Sequence, residues 1–498
     1  MTTTGTKDIK QHWQDRHRRN FAMSFRLLLF SKRRRCLIMA VWIIGLTACS
    51  LGPEYSRPNI PVPSAWNYQQ ENTAAVWPST EWWRAFSSPH LDDLMAKAKQ
   101  ANYDIAAAIS RVEEANAQAR IAGAPLLPEV GVGATAIRER QPTSIGGTME
   151  TYSEYIPLLS ASYELDFWGK NRAALEVARA TASASRYDRT IVELTVMTAV
   201  ANSYFQVLQL RDRISVAEKN LKDSESILKG LQLEQSIGTA TSLDVAQQDI
   251  AVATISTTIP PLKQQLRQTL NALAILTGQN PEAFDISTGT LADLSEPVVR
   301  PGLPSDLLTR RPDIAEAEAQ LIAANANIKV ARASFFPSID LTASGGFEST
   351  ALSTALNPTN SIFVLTAGIM QPIFEGGAIQ GQYAYSKARY AELLANYHKT
   401  VISALGNVED ALVALKQTAI QQQRQQATVD KARLAYELSS AQFHAGTINI
   451  LTVLNTESAL FSAEDGLAQV KLLHLQALLK LYNALGGGWQ QTKGKNNE

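Results

Sequence analysis

The chain has 498 residues, with 46 Lys plus Arg against 46 Asp plus Glu and a formal net charge of +0. Its 45% hydrophobic content excludes wholesale disorder, and its two Cys exclude a disulfide scaffold; with six His they also argue against a Cys/His metal site. The first 48 residues carry ten basic and two acidic side chains, a net of +8, which leaves −8 on the remainder and argues against nucleic acid as a partner.

The chain opens with an address. Lys32-Arg33-Arg34-Arg35 precedes the uncharged run 36–47, about 12 residues and short of the ~20 needed to span a bilayer. A basic cluster, a short apolar stretch and small residues before a cleavage point read as a signal peptide over 1–48. Leu46-Thr47-Ala48-Cys49 resembles the bacterial lipobox, so Cys49 is the expected lipidation site and first mature residue; the alternative is an ordinary signal peptide with a coincidental Cys. Ser50 is compatible with transfer to the outer membrane. The long stretch before Lys32 means either an extended n-region or a start at Met23. Residues 49–90 form an anchored N-terminal segment.

Two related copies follow, 91–280 and 305–489, joined by a Pro-containing linker, 281–304, and ended by a tail, 490–498. Asp104, Ile105, Ala115, Asn116, Ala117 and Pro128 recur as Asp313, Ile314, Ala324, Asn325, Ala326 and Pro337, and Gly238-Thr239 recurs as Gly446-Thr447. This period is far longer than a solenoid unit. Each copy opens with an alanine-rich helix (91–122, 306–333) ended by Pro128 or Pro337. Alternation then predicts strands: Val130, Val132, Ala134 and Ala136 share one face, as do Ile339, Leu341 and Ala343. Return strands cover 155–167 and 362–374, with hairpin links at 143–151 and 349–361.

Residues 170–237 and 378–445 contain no proline, so each reads as one helix of roughly 100 Å. Ile214, Ala217, Leu221, Ser224, Leu228 and Leu231 alternate in spacing between three and four, a coiled-coil seam. Both segments stop at Gly-Thr, a C-terminal cap signal, and a helix of about 39 residues returns. Pro260-Pro261 interrupts the first return helix and predicts a kink there.

No stretch after Cys49 has 18 consecutive apolar residues, which leaves only the hairpins to meet a membrane. Four strands cannot close a barrel, and open edges are not viable in hydrocarbon. Inserted strands therefore require several chains; a trimer gives about 12, an even number within the known range. Gly131-Val132-Gly133-Ala134-Thr135-Ala136 fits a dinucleotide pattern but lies inside an alternating segment. H-E-x-x-H, G-x-S-x-G and Walker A signatures are absent, and His90, His398, His444 and His474 are scattered. No enzyme is expected. Arg310-Arg311-Pro312-Asp313 suggests either an anion site or a helix start with Pro in its first turn. Tyr155, Tyr163, Phe167, Trp168, Phe363 and Phe374 suit either an interfacial girdle or core packing.

The ordered motifs Gly52-Pro53-Glu54-Tyr55-Ser56-Arg57-Pro58, Trp82-Trp83, Tyr163-Glu164-Leu165-Asp166-Phe167-Trp168-Gly169-Lys170, Leu308-Thr309-Arg310-Arg311-Pro312-Asp313-Ile314, Phe335-Phe336-Pro337, Pro372-Ile373-Phe374-Glu375-Gly376-Gly377 and Ala484-Leu485-Gly486-Gly487-Gly488-Trp489 span nearly the whole mature chain. Together they resemble the TolC-like outer-membrane factors, specifically the NodT-type efflux lipoproteins. The resemblance implies a mainly α protein with a membrane β-barrel part: a homotrimer whose 12-stranded outer-membrane barrel continues into a periplasmic 12-helix barrel. It implies a passive exit duct for drugs, toxic organics or metal ions, with no cofactor beyond the lipid on Cys49. The implied partners are a periplasmic adaptor and an inner-membrane transporter, of the resistance-nodulation-division or a related type, that open a closed tip. The turns Gly238-Thr239 and Gly446-Thr447 would be that tip. Leu451 matches the apolar gate position, and it is either gate or core. Asn455 stands where many members carry aspartate, and Phe443-His444 replaces a common Tyr-Arg pair. Leu243 is the first-copy equivalent of Leu451. Asp244 supplies either a tip carboxylate or an ordinary helix N-terminal charge. The alternative architecture is a lipid-anchored periplasmic coiled-coil scaffold without a channel.

Overall fold

A computed structural model describes residues 52, 54–67, 75–142 and 147–490. The signal peptide, Cys49 and the tail from 491 lie outside the described residues. In chain order the first copy contains α1 (Pro89–Ala101), α2 (Tyr103–Gly123), β1 (Glu129–Pro142), β2 (Met149–Glu164), α3 (Lys170–Ser236) and α4 (Ser242–Leu276). The second contains α5 (Leu307–Arg310), α6 (Pro312–Ala333), β3 (Ser338–Phe347), β4 (Ser361–Met370), α7 (Ala378–His444) and α8 (Ile450–Ala484). Each copy contributes to two compact units.

The first unit is built from Gly123–Ala174 and Asn327–Ala384. Its centre is one antiparallel sheet in the order β1-β2-β3-β4. Register fixes which side chains share a face, because paired residues project to the same side. Val132 pairs with Leu159, Leu159 with Gly345 and Gly345 with Phe363; Val130 pairs with Ala161, Ala161 with Ala343 and Ala343 with Leu365. This face is apolar from Val130 to Ala136 and across β2, β3 and β4 beside them, and carries Arg138, Arg140, Thr151 and Ser153 toward the β1–β2 link. The opposite face mixes Gly131, Thr135, Ser160, Ser162, Asp340, Thr342, Ser344 and Thr366 with Ile137, Ile156, Leu158, Ile362, Val364 and Met370 in the same registers. The apolar face is bare: Val132 is 85% exposed, Phe363 79% and Leu365 74%. β1 and β4 are edge strands, and neither has a pairing partner on its outer side within the sheet.

The strands differ from expectation at their ends. β2 begins at Met149 and stops at Glu164, and β4 stops at Met370. Beyond them the aromatic residues leave the ladder. Trp168 stacks on Phe336 at 4.7 Å and donates Nε1–H to the Pro337 carbonyl at 2.8 Å. Phe374 stays 88% exposed. The expected aromatic girdle is thus divided, with Trp168 packed and Phe363 and Phe374 bare.

The second unit is built from Tyr55–Ala122, Leu175–Ala326 and the chain from Tyr385. Its main core joins the short turn Trp82–Phe86 to Val196–Leu208 of α3, Leu270–Ala274 of α4 and Leu475–Tyr482 of α8. Trp82 stacks on Tyr482 at 5.1 Å, and Phe86 meets Phe205 at 5.0 Å. The linker is not a loose tether: Phe284, Ile286 and Leu291 enter this core. Among the described residues α3 alone is long and apolar enough, by length and composition, to cross a membrane, although nearly half of that window is buried.

One helix expectation needs correction. The opening helix of each copy is broken, at Asn102 and at Arg311. Asn102 Oδ1 accepts from the N–H groups of Asp104 and Ile105, and its Nδ2 donates to Leu276 O at 2.9 Å. Arg311 donates to Ala484 O at 2.8 Å and to both oxygens of Asp313. In both copies a polar side chain ends one helix and satisfies a last-turn carbonyl of the return helix, which otherwise lacks a donor. This use of the guanidinium favours the helix-start reading of Arg310-Arg311-Pro312-Asp313. Pro260-Pro261 lies inside α4, which runs unbroken from Ser242 to Leu276.

A close approach seals each junction. A Cβ on Gly278 would lie 2.3 Å from Ala101 O, and one on Gly486 2.0 Å from Arg310 O; both residues have positive φ. Gly486→Ala should therefore cost more than the roughly 1–2 kcal/mol of a left-handed alanine alone and lower the thermal midpoint of the purified protein by several degrees. Gly230, inside α3 with open space around its Cβ position, is the control: Gly230→Ala should be neutral or stabilising by up to about 1 kcal/mol. Equal midpoints for the two variants would contradict the junction argument.

Candidate functional site

The two long helices end in the same way. Gly238 and Gly446 take φ of 83° and 70°, a conformation that strains any residue with a Cβ. The next residue donates its N–H five residues back, Thr239 to Glu234 O at 2.9 Å and Thr447 to Gln442 O at 3.0 Å. Each threonine hydroxyl donates to the same carbonyl, at 3.0 and 2.9 Å. This closes the exposed end of the helix and reverses the chain in few residues, setting α3 beside α4 and α7 beside α8 as hairpins.

The return helices start differently. Thr241 and Asp244 form a capping box: Thr241 N–H and Oγ1–H both reach Asp244 Oδ2, at 2.8 and 2.6 Å, and Asp244 N–H donates to Thr241 Oγ1 at 3.2 Å. These bonds stabilise the ionised carboxylate and hold it below the usual range. In the second copy Asn449 Oδ1 accepts from Thr452 N–H at 3.2 Å and from Thr452 Oγ1–H at 3.1 Å. The first turn is therefore anionic and the second neutral. Asp244 has a capping role, and its carboxylate stays at the surface.

Leu243 and Leu451, one residue into the first turn of their helices, are 64% and 48% exposed in the single chain. Asn455 lies one turn beyond Leu451 and is also exposed. The core reading of Leu451 fails within one chain; the neighbouring Ile450 and Val453 fill the interior instead, against Leu231. Phe443 packs partly onto that cluster, while His444 is exposed.

Contacts beneath the turns tie the hairpins to each other. Arg213 of α3 grips Asp465 of α8 through Nε and Nη2 at 2.6 and 3.2 Å, both side chains largely buried. Arg433 and Glu464 close the α7–α8 pair at 2.6 Å. Nearer the turns lies a buried polar cluster. Gln248 Nε2 donates to Ser224 O at 2.9 Å and to Ser224 Oγ at 2.7 Å, and Glu457 lies one turn beyond Val453, which packs against Leu231 with Ile227 and Val245. Ser224 and Gln248 are fully buried and Glu457 is 4% exposed. The seam of α3 had placed Ser224 inward. Gln248, Glu457 and the Arg213–Asp465 pair carry no sequence signal, since polar residues on long helices read as solvent-facing. Among the described residues no group of three or more His, Cys, Asp or Glu is placed to hold a metal ion.

A family model described as outer membrane efflux protein matches residues 94–279 and 303–487. The chain is 39% identical over 470 residues to the pyoverdine export outer membrane protein OpmQ of Pseudomonas aeruginosa, covering 93% of this chain and 98% of that one. It is 33% identical over 479 residues to the toluene efflux pump outer membrane protein TtgC of Pseudomonas putida, with 93% and 97% covered. Among solved structures, the open state of the MtrE outer membrane channel of Neisseria gonorrhoeae matches with a TM-score of 0.81 and 28% identity, over 89% of this chain and 100% of that one.

The capping geometry makes a local prediction. Thr241→Ala should remove about 1 kcal/mol of helix stability and raise amide exchange in the first turns of α4, while the first turns of α8 stay unchanged. Equal exchange in the two proteins over residues 241–248 would show that the box does not hold the turn.

Proposed function

The chain belongs to the outer membrane efflux protein family, and from that premise we propose how its parts make an exit duct. It is the outer-membrane channel component of a tripartite efflux pump, working with a periplasmic adaptor and an inner-membrane transporter. It performs no reaction; the work of transport is done by its partners.

Three copies close one barrel. The observation that carries this reading is the sheet of the first unit, unpaired along the outer sides of β1 and β4, with one face mainly apolar and the other richer in polar residues. Backbone groups at an open edge cost several kcal/mol each in hydrocarbon. Pairing β4 of one copy with β1 of the next removes every edge, and three copies give about 12 strands, inside the known range. The mainly apolar face then meets lipid and the more polar face lines the lumen. The helical hairpins of the three copies form the periplasmic wall, and acylation of Cys49 adds an anchor beside the barrel. The partner transporter is of the resistance-nodulation-division type.

In this assembly the exposed Leu451 side chains converge as an apolar ring that excludes hydrated solutes by dewetting. Asn455 forms a neutral ring beneath it, and Asp244 supplies the carboxylates from the other hairpin. The cargo is a small organic molecule, and the pyoverdine-exporting relative makes a secreted siderophore the first to test.

Three outcomes follow. Cys49→Ala protein should still resist carbonate extraction, because the barrel holds it; a soluble protein would favour the lipid-anchored scaffold. Leu451→Ser should raise single-channel conductance in planar bilayers, and an unchanged value removes Leu451 from the gate. A deletion strain should lose siderophore secretion or resistance to a class of organic toxicants, with recovery on complementation.

A further inference from the structure

The buried cluster beneath the turns is short of donors. Gln248 must direct its amino group at Ser224, because the Ser224 carbonyl can only accept. Its amide oxygen therefore faces elsewhere, and Gln248 Oε1 is buried without a partner. Glu457 Oε1 is likewise buried without a partner. An ionised Glu457 offers only acceptors, and no donor reaches its buried Oε1. Two buried acceptors lacking donors are costly, and a proton on Glu457 turns one of them into a donor.

The surroundings favour that proton. Asp223 on α3 and Tyr436 on α7 are the titratable groups facing Glu457, and α4 contributes the neutral Gln248. Neither Asp223 nor Tyr436 brings positive charge. Burial, reinforced by Asp223, pushes the Glu457 carboxyl up to about 7 against the weaker opposing influence of Ser224.

We propose that Glu457 is a proton-responsive tie between the two helical hairpins: neutral, it holds α8 against α3 and α4 through Ser224 and Gln248; ionised, it releases them. Because the acid is weakened by folding, the packed state binds more protons than the opened one. Its advantage is fully present below the ordinary glutamate range and is lost as pH rises through neutrality. Acidic surroundings tighten the hairpins below the turns, and alkaline surroundings free them. The inference concerns one chain's hairpins and stands whether or not Leu451 forms the gate.

Amide exchange of the full-length protein in detergent micelles tests it, with rates expressed as protection factors so that the intrinsic pH dependence cancels. Protection of residues 220–231 and 450–460 should fall about tenfold between pH 5.5 and pH 8. Glu457→Gln should abolish the fall and keep the protection seen at pH 5.5. Asp223→Asn should shift the midpoint downward, since it removes a charge that opposes ionisation; a purely structural role for the cluster would leave the midpoint unmoved. Wild-type protection that does not change with pH, or a pH response that survives in Glu457→Gln, overturns the proposal.

Discussion

Amides and carbonyls along a strand edge need partners, and inside hydrocarbon no water supplies them. The four-stranded sheet here has two such edges and a bare apolar area around Val132, Leu159, Phe363 and Leu365. Both requirements are left open by a single chain, and both are met by other copies and by lipid in the proposed assembly. The outer membrane efflux protein family supplies the setting, and the register of the sheet supplies the physical reason. A scaffold that kept its hairpins in water would have no use for Val132, Leu159, Phe363 and Leu365 on one face.

The helical part obeys a different logic. Its stability rests on a conventional core centred on Trp82, Phe86, Phe205 and Tyr482, with a paired junction in each copy. There a glycine allows the return helix to approach a broken opening helix, and a polar side chain satisfies the carbonyl left exposed. Nearer the turns the apolar contribution shrinks to Leu231, Ile450 and Val453, and polar ties take over. That change is what makes this region responsive, since a few bonds decide whether the hairpins stay together.

Much of this was legible in the sequence where a local rule applied. The absence of proline over two long segments, with Gly-Thr at their ends, placed α3 and α7 to within a residue at each end. The three-four spacing from Ile214 to Leu231 marked an inward seam, and Ile214, Ala217, Ser224 and Leu231 are buried. Strand alternation placed both hairpins but not their ends, because the aromatic residues after Glu164 and Met370 continue the apolar pattern without joining the ladder. The breaks at Asn102 and Arg311 were invisible, since each depends on a carbonyl about 170 residues away. Glu457 left no mark at all: burial of a carboxyl is decided by three helices, not by its neighbours in sequence.

The two junctions solve one problem with different residues. Asn102 reaches the Leu276 carbonyl with an amide, and Arg311 reaches the Ala484 carbonyl with a guanidinium that also needs Asp313. A ring assembled from single copies would have to use the same residue at every such position. Fusing two copies in one gene lifts that restriction. Each copy can then hold its own solution. The asymmetry reaches the turns, where one return helix begins with a carboxylate and the other with an amide. Two related copies in one chain thus leave two halves that can be adjusted independently, a freedom that a ring of identical single copies lacks.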